Sequence, residues 1–149
     1  MLHQEALQMI TQTTLKPVFH AALGYLKSDR ELALVLDDRI EFALFLRAGQ
    51  VCVEERQAKA DVEFSFTPEA LRQLHSHPGD QLFGFGIAIC ELIAAGQMKI
   101  RVRSSLLRIL TGGYLQLIFA AGPEFLQYLS LHGLSQTSKI VDLIRSLKK

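Results

Sequence analysis

The chain has 149 residues, 49% hydrophobic and 21% charged, with two cysteines and four prolines. That is enough for one domain whose core needs neither disulfide nor metal. No run of about 18 apolar residues free of charge occurs, so no membrane-spanning helix is expected. His3, Gln4, Glu5 and Gln8 interrupt any apolar export signal, so a cytoplasmic protein is expected.

Residues 2–10 read as a weak helix, and a second short helix starts near Pro17 and runs to about Leu26. Strand periodicity then begins. Leu32, Leu34 and Leu36 share one face, and Asp37-Asp38-Arg39 makes a turn. In the next run Phe42, Leu44 and Leu46 face one way, while Ala43, Phe45 and Arg47 face the other. Ala48-Gly49-Gln50 reads as a hairpin turn into a third strand through Val51 and Val53. Three strands at this spacing predict an antiparallel meander.

A fourth strand starts at Asp61, with Val62, Phe64 and Phe66 opposed to Glu63 and Ser65. Thr67-Pro68-Glu69 is a helix start: a capping hydroxyl, a proline at the first helical position, and an acid at the positive end of the dipole. Leu71 and Leu74 give that helix its inner face, and His77-Pro78-Gly79-Asp80 ends it. Residues 81–95 are apolar nearly all round, with Glu91 their single charge, so such a helix has to be covered on most sides. Gly96 stops it. Met98, Ile100 and Val102 then alternate with Lys99, Arg101 and Arg103 as a fifth strand with one basic face. Ser104-Ser105 is placed to cap a helix through Leu110, which Gly112-Gly113 interrupts. Residues 114–120 fit helix or strand, and residues 123–131 and 136–148 read as two final amphipathic helices.

Charge is uneven. Residues 1–96 hold 8 Lys and Arg against 13 Asp and Glu, and residues 97–149 hold 8 against 2. A basic end suits an anionic partner such as a lipid headgroup, or is a solvated surface. The basic strand face lacks interleaved aromatics for base stacking, so no nucleic-acid partner is expected.

The order of elements, with Ala60-Asp61-Val62-Glu63-Phe64-Ser65-Phe66-Thr67-Pro68-Glu69-Ala70-Leu71 before the apolar helix and Gly96-Gln97-Met98-Lys99-Ile100-Arg101-Val102 after it, resembles the sterol carrier protein type 2 (SCP2) domain. The resemblance is strongest over residues 31–118. Two departures are Gln97 where the family usually has Lys, and Arg103-Ser104-Ser105 where it usually has Gly-Asp. The resemblance implies an α+β fold: a mostly antiparallel five-stranded sheet covered by helices, with an apolar tunnel between them. The chain then reads as one domain, residues 1–149, whose residues 119–149 form a helical C-terminal extension. It also implies non-catalytic binding of a lipid, fatty acyl chain or isoprenoid-like molecule.

On that reading Phe83, Phe85, Ile89 and Leu92 line a cavity with Met98, Ile100, Leu107 and Leu110. A packed core uses the same residue types, so the pattern alone leaves both open. The basic C-terminal helix is then either a lid, a contact with an anionic bilayer, or plain packing on the sheet. The second functional reading is an interaction module or homodimer whose apolar helices meet a partner.

No motif calls for catalysis, a metal or a cofactor. Gly84-Phe85-Gly86 lacks the third glycine and the strand–helix setting of a nucleotide loop. His75, His77 and Asp80 lack a thiolate or further histidine to complete a metal site. Ser104 and Ser105 stand outside any nucleophile elbow.

Overall fold

The computed structural model describes residues 2–120. In chain order the elements are α1 (His3–Thr14), α2 (Pro17–Gly24), β1 (Glu31–Leu36), β2 (Ile40–Arg47), β3 (Gln50–Glu55), β4 (Ala60–Phe66), α3 (Pro68–Ser76), α4 (Leu82–Ala94), β5 (Met98–Val102), α5 (Leu106–Thr111) and α6 (Tyr114–Ala120). The segment that fitted helix or strand is helix α6. The helices expected over residues 123–131 and 136–148, the basic one included, lie outside the described residues.

The local signals act as the side chains dictate. Asp37, Asp38 and Ala48 all take left-handed backbone (φ 56°, 55° and 53°), which closes the two hairpins of the meander tightly. The Thr67 hydroxyl accepts a hydrogen bond from the Ala70 amide at 3.1 Å, with Pro68 at the first helical position. Thr67→Ala is therefore expected to cost about 1 kcal/mol, read as a lowered urea midpoint at unchanged slope. Ser105 caps α5 by accepting from the Arg108 amide at 3.3 Å.

The fold is α+β. Its five strands form one sheet in the order β3-β2-β1-β4-β5, antiparallel at every junction except the parallel pair β1–β4. The helices lie against one face. Leu32, Leu34, Leu36, Phe42 and Leu44 enter a single buried cluster there, joined by Val62, Phe66, Met98 and Val102 from the other half of the sheet. Both cysteines are free.

The other face is polar, apart from one small apolar patch. Residues 56–59 link the edge strand β3 to β4, which pairs with β1 in the interior of the sheet. Ala58 in that link packs with Ala33 and Ala43, both fully buried, and with Phe45. Larger residues at 33 and 43 would fill the space the link occupies. Arg56 clamps it: its guanidinium stacks on the Phe45 ring at 5.3 Å and forks onto both oxygens of Glu31 at 2.9 and 2.7 Å. Farther along, Arg103 forks onto Glu41 at 3.0 and 2.8 Å and also reaches Glu63.

These contacts make the fold acid-sensitive. Hydrogen bonds from Arg56 hold the Glu31 carboxyl below its ordinary range, and hydrogen bonds from Arg103 do the same for Glu41. At Glu63 burial pushes upward, but Ser65 and Arg103 together outweigh it and the carboxyl is again lowered. A carboxyl lowered in the folded state stabilises fully above its ordinary value near 4.5 and loses that contribution as pH falls through the lower, folded one. The urea midpoint is expected to fall steeply below pH 4.5, and Glu41→Gln to flatten the curve in that window. An unchanged pH profile in Glu41→Gln would rule out this origin.

Candidate functional site

The site builds outward from α4. Residues 85, 88, 89 and 92 recur at helical spacing and face the sheet. Phe85 and Leu92 are buried, at 3% and 4% exposure, and Ala88 and Ile89 pack between them on the same cluster. Phe85 makes T-shaped contacts with two rings, Phe19 of α2 at 5.1 Å and His77 at 5.4 Å. Met98 is buried beneath, with Ile100 packed alongside. Five of the eight residues expected to line a cavity therefore meet in one apolar layer. Phe83 is half-buried on α4, Leu107 stands 70% exposed on α5, and the side chain of Leu110 lies outside the described residues.

The rest of α4 is apolar but incompletely covered. Phe83, Ile87 and Cys90 are half-buried and Ile93 is 37% exposed. Burial, then the neighbouring Glu91 charge, push the Cys90 thiol up to about 11, so it stays protonated at neutral pH and is a poor nucleophile. Gly84 lies inside the helix, where its missing side chain leaves the His77 ring as nearest neighbour. The histidines themselves are engaged: His77 Nδ1 accepts from the Gly79 amide at 3.0 Å, and His75 Nδ1 pairs with the Thr13 hydroxyl at 3.1 Å. Lys99 and Arg101 are exposed on the polar sheet face, while Arg103 is committed to Glu41 and Glu63.

A second feature escaped the sequence reading. Asp61 is 3% exposed, on the helix side of the sheet. Its Oδ1 accepts from Arg108 Nε at 2.9 Å and its Oδ2 from the Tyr114 hydroxyl at 3.2 Å. Burial, then the Asp61 charge, hold the Tyr114 hydroxyl well above the usual phenol range, so it remains a donor. Arg30, from the link between α2 and β1, is also buried at 8% exposure, with Nε 3.4 Å from Asp61 Oδ2. Beside this cluster a pocket of about 370 Å³ opens between the α2–β1 link and the β2–β3 turn, walled by Leu23, Leu26 and Leu46 and edged by Lys27, Ser28 and Arg30. A strand register shift opposite Glu31 and Leu32 produces the cluster: Glu31 faces Ala60 but Leu32 faces Val62, leaving Asp61 as the extra residue of a bulge.

No protein-family model matches the chain, and neither does any curated protein. Among solved structures, the UbiJ-SCP2 ubiquinone synthesis protein is similar at 16% identity, covering 79% of this chain and 94% of that one, with a TM-score of 0.45. The stereoselective inverting sec-alkylsulfatase Pisa1 from Pseudomonas sp. is similar at 22% identity over 61% of this chain, with a TM-score of 0.42; the matched part spans 13% of the sulfatase. A double mutant of that sulfatase gives 22% identity, 61% and 15% coverage, and a TM-score of 0.38.

Proposed function

We propose that the protein is a non-catalytic carrier of an apolar ligand, a lipid or fatty acyl chain, held between the sheet and α4. One observation carries the reading: α4 has 13 residues and one charge, yet buries only Phe85 and Leu92 fully. A helix apolar on nearly every side costs free energy wherever it meets water, and an apolar occupant removes that cost. The resemblance of residues 31–118 to the SCP2 domain points the same way. The ligand-facing set is Phe83, Phe85, Ile89, Leu92, Met98 and Ile100, with the exposed Leu107 toward the rim; Leu110 belongs to the set expected from the sequence.

The energetics are sufficient. Each buried methylene contributes about 0.8 kcal/mol, so ten supply on the order of 8 kcal/mol before the cost of association. Selection among chain lengths would be weak, because one methylene discriminates by only about 1–3 kcal/mol.

Native mass spectrometry of freshly purified protein tests this, followed by solvent extraction of whatever is bound. The expected result is a stoichiometric added mass matching an extracted lipid. A bare monomer mass, together with no displaceable binding of a fluorescent fatty acid, would refute the carrier. A doubled mass would instead assign the apolar face of α4 to a second copy of the chain.

A further inference from the structure

We propose that Arg30 anchors the anionic head of the ligand, a phosphate or carboxylate, in the pocket between the α2–β1 link and the β2–β3 turn. This deepens the carrier reading and depends on it for the apolar part of the ligand.

Arg30 and Arg108 both approach Asp61, so two guanidinium groups share one carboxylate. Both Asp61 oxygens are already engaged, one by Arg108 and the other by Tyr114. Tyr114 is a neutral donor and takes up no positive charge. Arg30 Nε lies within ion-pair range of Asp61, but Nε and Nη1 are both buried with no hydrogen-bond partner among the described residues. Among the described residues the other nearby carboxylate is Asp29, 4.0 Å away and 77% exposed, where water screens it. The Arg30 side chain itself is 7% exposed.

Buried donors on a charged group are almost always satisfied, since leaving them empty forfeits hydration with nothing in return. An acceptor that brings negative charge supplies both what the donors lack and what the charge count lacks. The pocket surroundings agree. Lys27 and Ser28 stand at its edge, and among the described residues no carboxylate lines it. Its apolar wall adds the second half of the specificity. Leu23 and Leu26 belong to the same buried cluster as Phe85, Leu92 and Met98, and Leu46 packs on it. A ligand seated here has its charged end on Arg30 and its apolar end against the core.

Calorimetric titration with dodecyl phosphate, dodecanol and inorganic phosphate tests the proposal. Dodecyl phosphate is expected to bind the wild type at least about tenfold more tightly than dodecanol, as a charge-assisted hydrogen bond implies. Arg30→Met should bring the two within about twofold of each other and leave dodecanol unchanged. That variant keeps the stem packing and leaves Asp61 balanced by Arg108, so it is expected to fold. Lys27→Met, at an exposed position, is a second variant and should reduce the preference several-fold.

Equal affinity for dodecanol and dodecyl phosphate would overturn the anion site while leaving the carrier intact. A preference that survives Arg30→Met would overturn the role of Arg30. Arg30-dependent binding of inorganic phosphate without either amphiphile would keep the anion site, assign it to free phosphate, and refute the carrier. No binding of any of the three would refute both.

Discussion

Asp61→Ala is expected to destabilise the fold by about 3–5 kcal/mol, the range found when one member of a buried ionic cluster is removed. Asp61 is the carboxylate nearest the buried Arg30 guanidinium, and it also takes hydrogen bonds from Arg108 and Tyr114. Without it Arg30 has, among the described residues, only the exposed Asp29 at 4.0 Å, and the Tyr114 hydroxyl loses its acceptor. Urea unfolding checks the size of the loss, and a loss under 1 kcal/mol would show that the cluster is not a net stabiliser. The double variant Arg30→Met with Asp61→Ala is expected to recover part of the loss, because the uncompensated cation is then absent too. That non-additivity separates the charge effect from simple cavity formation.

Gly113→Ala is the second large effect, expected to cost about 2–5 kcal/mol. Two terms contribute. Gly113 has φ of +96°, where an L side chain costs about 1–2 kcal/mol. A Cβ placed there would collide with the Tyr25 carbonyl and sit 3.2 Å from Leu26 Cα, an overpacking against backbone that adds about 1–3 kcal/mol. Gly96→Ala is the internal control. Its φ of +77° carries the conformational cost, but nothing lies within 4 Å of its Cβ. If both variants lose the same stability, close packing at Gly113 contributes nothing. The contact also bears on the pocket, because the Lys27 amide donates to the Gly112 carbonyl at 3.1 Å and so ties the α5–α6 junction to the α2–β1 link.

Much of this was legible in the sequence because it depends on short-range periodicity. Leu32, Leu34 and Leu36, then Phe42 and Leu44, then Val62 and Phe66 declare their face by alternation alone, and the core takes them as written. Thr67 and Ser105 declare themselves as caps because a hydroxyl at a helix start has a nearby amide to accept from. The parallel pairing of β1 with β4 is not written that way. Alternation fixes the faces of a strand but not its neighbour, and nothing in residues 31–66 distinguishes a fourth meander strand from one that crosses to the other side of β1.

Asp61 shows the same limit within one strand. Strict alternation sends it outward with Glu63 and Ser65, but the bulge turns it inward to Tyr114. Arg30, between a helix and a strand, carries no pattern at all, and its burial follows entirely from what packs around it. The cavity residues divide similarly. Phe85, Leu92 and Met98 were readable as interior positions, whereas the exposure of Leu107 depends on how the six-residue helix α5 is rotated, which its sequence alone does not fix.

The link over residues 56–59 also has a consequence for the order of assembly. The two hairpins joining β1, β2 and β3 close over a few residues, so they can form on the microsecond scale typical of hairpins. Strand β1 is then a free edge until β4, roughly 30 residues later in the chain, arrives beside it. Docking β4 also has to lay Ala58 over Ala33 and Ala43 and bring Arg56 to Glu31. The early meander therefore waits with Leu32, Leu34 and Leu36 on a strand whose second edge is still open, and this interval is when the nascent chain is most open to pairing with another copy of itself.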